Sequence, residues 1–386
     1  MARQYRVISA DSHLEIAADR WSHRLPPQYR DRAPRRIRLP NGGDAHVIEG
    51  RPMLIEPVRC LEQKMWPVGG SFDTNAGAGS PEQRLKEQDI DGIDAEILYP
   101  GSLGPGFWRG IRNDQVYKSV IRAYNEWLAE EYCSVDPDRL IGMGLIPETS
   151  FRDAIDEMEN CARMGLKGVL LNAWPSGKPL PTPSDDEFWA EAIRIRMPIT
   201  VHIELHHSPG GSPAGPRWQY AKDPGPEIYA GGADPIRRLY QAFGTRGAKT
   251  AIHLIYAGVF DRFTDLQVYF AENQIAWIPM WLEHADIIYQ RNSRVMEEFF
   301  GLKPLSRLPS EYVRQHCLWG FLQSPVGVEL RHHIGVDRIL WSTDFPHTET
   351  EWPNSIEDLK RSFAGVPEDE KYQIVAGNCI RFFHLQ

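Results

Sequence analysis

Strand-length apolar runs alternate with helix-like segments along almost the whole chain. This alternation is typical of βαβ units, in which parallel strands form one sheet and helices cover it. Eight runs have strand length, and they are residues 5–10, 95–99, 140–145, 168–171, 199–202, 250–256, 266–271 and 338–342. The sequence therefore predicts an α/β fold, a (β/α)8 TIM barrel.

The length of 386 residues fits one barrel domain, spanning 1–386, because such barrels run to roughly 250 residues plus insertions. Three segments rich in Pro, Gly or Arg interrupt the alternation, at about 20–80, 205–234 and 292–325. Long connections inside a compact domain are usually binding loops or lids. We therefore expect all three insertions at the C-terminal face, around the mouth of the barrel.

Charge and composition exclude several classes of function. The net charge of -9 argues against a nucleic-acid partner, which requires a basic face. No apolar stretch approaches the roughly 20 residues of a membrane span, and the N-terminus carries no apolar signal segment. The five cysteines are scattered, with no CxxC pair, which is typical of a reducing cytoplasm. We expect a cytoplasmic protein without a membrane segment.

Polar residues capable of binding a metal lie where the predicted strands end. His13 and Glu15 follow the first run with a spacing of two, which in extended backbone directs both side chains to one side. His202 closes the fifth run, His253 lies in the sixth, and Asp344 follows the eighth. The carboxyl ends of barrel strands meet at one face, so we expect these side chains to lie together.

Two imidazoles and two carboxylates form a mixed nitrogen and oxygen ligand set, here His13, Glu15, His202 and Asp344. Such a set suits one divalent ion, Zn²⁺ first and Mn²⁺ or Fe²⁺ next. A metal of this kind lowers the pKa of a bound water toward ~7, and Asp344 would then move its proton. His253 is left outside the ligand set as a catalytic acid, base or electrophile.

Other polar and aromatic residues are candidates for substrate binding. Glu272 orients His253 or binds substrate, and His347 contacts substrate or braces its loop, the second role being favoured. Trp174 walls an aromatic substrate or belongs to the core. Arg51 and Arg59, in the first insertion, are candidates to hold a substrate carboxylate.

Five segments carry a family resemblance, in order and over nearly the whole chain: DSHLE, TVHIE, AIHLIYAGVFDRFTDLQVYFAE, WSTDFPH and GNCIRFFHL. Together they resemble the aminocarboxymuconate-semialdehyde decarboxylase branch of the amidohydrolase superfamily. That branch includes benzoate-type decarboxylases and some hydrolases and hydratases. The resemblance implies a barrel with a metal at its mouth.

The resemblance also implies roles for individual residues. Its first-strand histidine pair corresponds to His13 and Glu15, with Glu15 in place of the second histidine. Its strand-five histidine corresponds to His202, its catalytic histidine to His253 and its last-strand aspartate to Asp344. Two-metal members carry a carboxylated lysine at the end of strand four, where this chain has Leu-Leu-Asn at 170–172, so a single metal is predicted.

The favoured function is non-oxidative decarboxylation of a small aromatic or conjugated carboxylic acid, with Asp344 or His253 protonating the carbon that loses CO2. The alternative is a hydrolase of an amide, lactone or ester, in which a metal-bound hydroxide attacks and Asp344 is the base. A ligand-binding barrel without turnover ranks third, because His253 is present. The expected partner is a small molecule, and the exposed insertions are compatible with a homodimer.

Overall fold

The computed structural model describes residues 3–38, 44–48, 51–53, 71–73, 75–101, 108–205, 245–347 and 349–386. Its main feature is one sheet of eight parallel strands, in which each strand pairs with the next one along the chain. These strands are β1 (Ile8–Leu14), β5 (Ala95–Pro100), β6 (Leu140–Leu145), β7 (Gly168–Leu171), β8 (Ile199–His202), β9 (Val268–Ala271), β10 (Cys317–Phe321) and β11 (Ile339–Trp341). The predicted (β/α)8 barrel is confirmed.

Helices connect successive barrel strands and cover the outside of the sheet. They are α1 (Pro81–Asp91), α2 (Asp114–Trp127), α3 (Phe151–Met164), α4 (Asp186–Arg194), α5 (Gly247–Tyr256), α6 (Val259–Arg262), α7 (Ile278–Phe300), α8 (Pro309–His316), α9 (Pro325–Glu329), α10 (Arg331–Ile334), α11 (Ser355–Ser362), α12 (Glu368–Tyr372) and α13 (Asn378–Phe382). Within the described part of the chain, no helix is both long and apolar enough to cross a bilayer.

Local sequence fixes the ends of α1, the helix that follows the first strand. Ser80 caps its N-terminus by accepting a hydrogen bond from the Gln83 amide, and Pro81 occupies the first helical position. Gly92 ends the helix in the left-handed conformation (φ 76°), which favours glycine. The helix is thereby held in register against the barrel, with Arg84 on its buried side.

A small antiparallel sheet lies within the first predicted insertion. It consists of β2 (Arg35–Arg38), β3 (Asp44–Ile48) and β4 (Arg51–Met53), and none of its described residues pairs with a barrel strand. The segment 20–80 therefore contains regular structure of its own. The insertion predicted at 205–234 lies outside the described residues from 206 onward.

Two elements differ from the sequence prediction. The run 250–256, predicted as strand six, belongs to α5, and its buried residues Thr250, Ala251, Leu254 and Ile255 follow a helical period. A short apolar run does not by itself distinguish a strand from a buried helix. Strand six is instead β9, and strand seven is β10, inside the segment 292–325. Interpreting 292–325 as a mouth insertion was therefore wrong, although eight strands were counted correctly.

Backbone hydrogen bonds join the first strand to the segment that directly follows the last strand and bring the barrel near closure. The Asp344 amide donates to the Asp11 carbonyl (2.9 Å), and the His13 amide donates to the Phe345 carbonyl (2.7 Å). We call this junction the seam. It aligns two candidate site residues of β1 with Asp344, which follows β11.

Candidate metal centre

Buried carboxylates and imidazoles gather at the C-terminal ends of four barrel strands. They are Asp11 and His13 of β1, His202 at the end of β8, Glu272 after β9 and Asp344 after β11. Asp11 and Asp344 are fully buried, and His13 and Glu272 are nearly so. Parallel strands direct their carboxyl ends to one face, so residues far apart in sequence meet there.

A bulge in β1 determines which side chains face this cluster. Ser9 pairs with Glu96 and Ser12 pairs with Leu98, so three residues of β1 lie opposite two residues of β5. The extra residue places the Ser9 and Ser12 hydroxyls on the same side, 3.0 Å apart. Asp11 and His13 share another side, where the Asp11 carboxylate lies 3.5 Å from His13 Nε2.

His13 lies at the centre of the cluster. Its Nε2 atom is 3.1 Å from Nε2 of His202 and 3.1 Å from Oδ1 of Asp344. His202 Nε2 lies 3.4 Å from Oδ2 of Asp11 and 3.3 Å from Oε2 of Glu272. Ligand atoms bonded to one ion at about 2.1 Å are separated from one another by roughly 3 to 3.5 Å. The observed separations match that spacing.

Two overlapping groups of side chains have ligand atoms within 4.8 Å of one another. The first consists of Asp11, His13, His202 and Glu272. The second consists of His13, Glu272, Asp344 and His347. His13 and Glu272 are common to both groups, so they form the centre of a single site.

His347 extends the cluster toward Glu15. The His347 ring stacks on His13 with centroids 3.9 Å apart, and its Nδ1 lies 3.0 Å from Oδ1 of Asp344. Its Nε2 lies 3.2 Å from Oε1 of Glu15. Glu15 thus contacts the cluster through His347 and belongs to neither group.

The backbone at the site adopts left-handed conformations at three non-glycine residues. They are Ile203 (φ 62°), Glu272 (φ 53°) and Asp344 (φ 54°), each next to or within the cluster. Such conformations cost about 1 to 3 kcal/mol each and persist where the surrounding structure imposes them. The fold therefore holds these side chains in place at a cost in stability.

The imidazole of His13 is oriented by a hydrogen bond on its far side. Its Nδ1 lies 2.9 Å from the Pro100 carbonyl, which can only accept, so Nδ1 carries the proton. The lone pair of Nε2 is then directed into the cluster. A metal-binding histidine typically has this second contact.

Burial and neighbouring charges move the pKa values of the cluster in opposite directions. Burial and the adjacent His347 lower the pKa of His13. Against the effect of burial, Asp11 raises the pKa of His202 to about 9. Burial and the Asp344 carboxylate raise the pKa of Glu272 to about 8. Against burial, His347 and His13 hold the pKa of Asp344 well below its usual range.

The donor set fits a divalent metal ion. Both carboxylate oxygens of Asp11 and of Asp344 are buried and accept no hydrogen bond from any described residue. Imidazole nitrogens lie 3.0 to 3.5 Å from these carboxylates, and a buried carboxylate that accepts no hydrogen bond is costly unless a cation binds it. Mixed imidazole and carboxylate ligands suit Zn²⁺, Mn²⁺ or Fe²⁺. A divalent metal site is therefore supported.

The structure brings together most of the residues that the sequence indicated. His13, His202 and Asp344 lie in the cluster, as do Glu272 and His347, which had been considered for substrate binding. Asp11 had not been identified. The same spacing of two that linked His13 to Glu15 also links Asp11 to His13, so that signal was present in the sequence.

The remaining predicted residues lie elsewhere. His253 lies on α5 and belongs to neither group, and its ring is 6.4 Å from that of the buried Trp174. Burial and Lys249 lower the pKa of His253. Arg51 begins β4, but its side chain lies outside the described part of the structure. Arg59 lies wholly outside it.

Comparison with known proteins gives consistent results. The chain matches the amidohydrolase family model over residues 44–385. It is 23% identical over 320 residues to a gamma-resorcylate decarboxylase of Rhizobium sp. (strain MTP-10005), covering 79% of this chain and 87% of that one. It is 21% identical over 388 residues to the 2-amino-3-carboxymuconate-6-semialdehyde decarboxylase of Dictyostelium discoideum, covering 98% and 92%.

A solved structure has the same fold. It is the 5-carboxyvanillate decarboxylase of Novosphingobium aromaticivorans DSM 12444, complexed with manganese and 4-hydroxy-3-methoxy-5-nitrobenzoic acid. The TM-score is 0.66 at 18% identity, covering 99% of this chain and 96% of that one. The resemblance found in the sequence is confirmed, and the chain belongs to the amidohydrolase family.

Proposed function

We propose that this protein is a metal-dependent, non-oxidative decarboxylase of a small aromatic or conjugated carboxylic acid. The observation that carries the proposal is the buried cluster at the barrel mouth, in which the Asp11 and Asp344 carboxylates accept no hydrogen bond from any described residue. The names of the relatives support the choice of reaction, because those relatives are decarboxylases of such acids. Family membership supports an enzyme over a barrel that only binds a ligand.

We assign the metal to His13, His202, Asp11 and Asp344, with Glu15 outside the ligand set. This replaces Glu15 of the sequence prediction by Asp11, because Asp11 belongs to one of the two groups of potential ligands, whereas Glu15, which contacts His347, belongs to neither. Zn²⁺ was expected from the ligand types, and the manganese of the related structure supports Mn²⁺ as an equal candidate. When bound, such an ion attracts electron density from a substrate oxygen and anchors the substrate.

Decarboxylation needs a proton for the carbon that loses CO2. The bond between that carbon and the carboxylate breaks, its electron pair stays on the carbon, and a proton takes the vacated position, so no oxidant is required. We place this proton on the carboxyl of Glu272, whose Oε2 lies 3.3 Å from His202 Nε2. Asp344, the first candidate from the sequence, is then a ligand. His253 lies outside both groups, with its ring 6.4 Å from that of Trp174, and we assign it no proton transfer.

The Trp174 indole is the candidate surface against which an aromatic ring of the substrate would pack. It follows β7 at the same face of the barrel as the cluster, and its side chain is buried. A flat apolar surface at the face of the barrel that carries a polar cluster suits a substrate with an aromatic body and a carboxylate at one end. This arrangement favours a ring-bearing acid over an extended peptide.

The experiment is an activity screen of the purified holoprotein with its metal content measured. Gamma-resorcylate, 5-carboxyvanillate and related hydroxybenzoates are tested for CO2 release, and lactones, esters and amides for hydrolysis. We expect CO2 release from at least one acid, lost in Asp344→Asn. Hydrolysis without CO2 release would replace the proposal by the alternative, a hydrolase with Asp344 as base. No turnover in either panel, in protein that binds metal, would contradict the proposed reaction.

A further inference from the structure

Arg84 of α1 is one of the most deeply buried charged side chains of the barrel, with an exposed fraction of 1%. It forms a forked ion pair with Glu96 of β5. Its Nε donates to Oε2 at 2.6 Å, and its Nη2 donates to Oε1 at 3.2 Å. The ion pair fixes the plane of the guanidinium in the wall of the barrel.

The other N–H groups of Arg84 reach across the seam. Nη1 donates to the His13 carbonyl (3.0 Å), and Nη2 also donates to the Phe345 carbonyl (3.3 Å). His13 is a proposed ligand, and Phe345 directly follows the ligand Asp344. One rigid side chain therefore bridges the two backbone segments that meet at the seam, β1 and the segment that follows β11.

Hydroxyl groups continue this network from Glu96 toward Asp344. Ser12 Oγ donates to Glu96 Oε1 (3.0 Å) and lies 3.0 Å from Thr343 Oγ1, which is 2.9 Å from Ser9 Oγ. Ser12 stands between Asp11 and His13 in the sequence, and Thr343 precedes Asp344. Each proposed ligand at the seam is thus next in sequence to a residue whose hydroxyl is held by hydrogen bonds.

We propose that Arg84 and Glu96 are positioning residues that set the spacing between the ligands of β1 and Asp344. We call Arg84, Glu96 and Ser12 the seam clasp. A buried ion pair adds little net stability over apolar side chains of the same size. A planar fork with five donors, however, defines the relative placement of three chain segments in a way that apolar packing does not. The inference rests on the metal centre of the proposed function, and it holds whichever reaction that centre performs.

The chain offers a control that is matched at the carboxylate, although its arginine, Arg122, is 39% exposed and Arg84 is 1% exposed. Glu157 of α3 is buried like Glu96, with exposed fractions of 4% and 3%. Arg122 donates to it through Nε at 2.6 Å and Asn125 through its amide at 2.8 Å. Gln88 donates to Glu96 in the same way, also at 2.8 Å. Neither Glu157 nor Arg122 has a described contact with the metal centre, so Glu157→Gln repeats the chemical change away from the ligands.

The experiment compares Mn²⁺ binding to metal-free wild-type protein, Glu96→Gln, Arg84→Lys and Glu157→Gln. The dissociation constant is measured from the free Mn²⁺ signal in electron paramagnetic resonance, together with the line shape of bound Mn²⁺ and the Tm of each apoprotein. We expect Glu96→Gln and Arg84→Lys to weaken Mn²⁺ binding by about 10 to 100-fold and to alter the line shape. Glu157→Gln should lower Tm while its dissociation constant stays within twofold of wild type.

Three outcomes would overturn the proposal. If the clasp variants have a lower Tm but bind Mn²⁺ with the wild-type dissociation constant and line shape, the role of the clasp is structural only. An equal loss of affinity in Glu157→Gln would show a general effect of destabilisation. A wild type that binds neither Mn²⁺ nor Zn²⁺ would remove the metal centre and the clasp together. If Glu96→Gln and Arg84→Lys do not fold, Ser12→Ala, which deletes one hydroxyl, takes their place. Its Mn²⁺ dissociation constant and line shape are then compared with those of wild type and Glu157→Gln.

Failure of the proposed reaction gives a different result. Protein that binds Mn²⁺ tightly and releases no CO2 contradicts the decarboxylase, while the comparison of dissociation constants still tests the clasp.

Discussion

The two sides of the metal centre are held by different kinds of interaction. The seam side carries Asp11, His13 and Asp344, and the charged clasp fixes its backbone. The opposite side carries His202 and Glu272 at the ends of β8 and β9, which pair in register from Ile199 to His202. No charged side chain among the described contacts bridges the backbone of that second side as Arg84 does.

A neutral amide performs the bridging on the opposite side. Asn273 is fully buried, and its Nδ2 donates to the carbonyls of Ile203 (3.0 Å) and Ala271 (2.8 Å), which follow His202 and precede Glu272. Its Oδ1 accepts from the Gly247 amide at the start of α5 (2.9 Å). A Cβ at position 247 would lie 2.4 Å from this oxygen, so the contact requires glycine.

The two sides of the metal centre differ in how much change they tolerate. Removing one member of a buried ion pair leaves an uncompensated charge, so the seam side tolerates little change. Removing an amide leaves unpaired polar groups, which costs less. We infer that the seam side determines metal geometry, whereas the amide side supports the backbone that carries His202 and Glu272.

The largest expected effect is loss of the ligands themselves. Asp11→Asn and Asp344→Asn on the seam side, and His202→Ala on the other, should each lower metal affinity by more than 100-fold and abolish activity, since each removes a proposed ligand. Mass spectrometry of the purified variants measures the amount of metal bound to each. Undiminished metal in these variants would contradict the assigned ligand set.

Glu272 and His253 should differ sharply in their effect on turnover. Glu272→Gln removes the proposed proton donor and should lower kcat by about 10² to 10⁴-fold while the metal is retained. His253→Ala, on α5, should have a much smaller effect on kcat. Steady-state kinetics of metal-loaded variants separates them. A larger loss in His253→Ala would restore the catalytic role that the sequence predicted for that residue.

Glu15 should affect the metal only indirectly. Glu15→Gln removes the negative partner of His347, which stacks on His13, so we expect roughly tenfold weaker metal binding. The matched control is Glu204→Gln, two residues beyond His202, whose carboxylate pairs with Arg246. Calorimetric titration of the apoproteins measures both. An effect of Glu15→Gln as large as that of Asp344→Asn would make Glu15 a direct ligand.

The smallest expected effect on metal binding is that of the amide side. Asn273→Ala removes three hydrogen bonds to backbone groups and should lower the free energy of unfolding by about 1 to 3 kcal/mol. Denaturant unfolding of the apoprotein measures this loss. Mn²⁺ affinity should fall less than in Glu96→Gln. The distinction between the two sides fails if the two variants lose equal affinity.

Much of the site was predictable because it depends on strand ends. His13, His202 and Asp344 follow apolar runs that are strands, and a barrel brings such positions to one face. Glu272 was placed correctly at a strand end, but that strand is the sixth and not the seventh. The error arose in short apolar runs, where helix and strand have the same composition.

By itself, the sequence determined the parallel barrel and three of the residues that meet at its mouth, because alternating apolar runs and polar strand ends are local patterns. The tertiary structure decided the rest. A bulge in β1 brought the Ser9 and Ser12 hydroxyls to one side, and pairing over long sequence distances placed Glu272 and His347 beside His13. The contact of Arg84 with the Phe345 carbonyl and that of Ser12 with Thr343 form only when β1 meets the segment that follows β11. Contacts of this kind depend on the closed fold, and no local pattern records them.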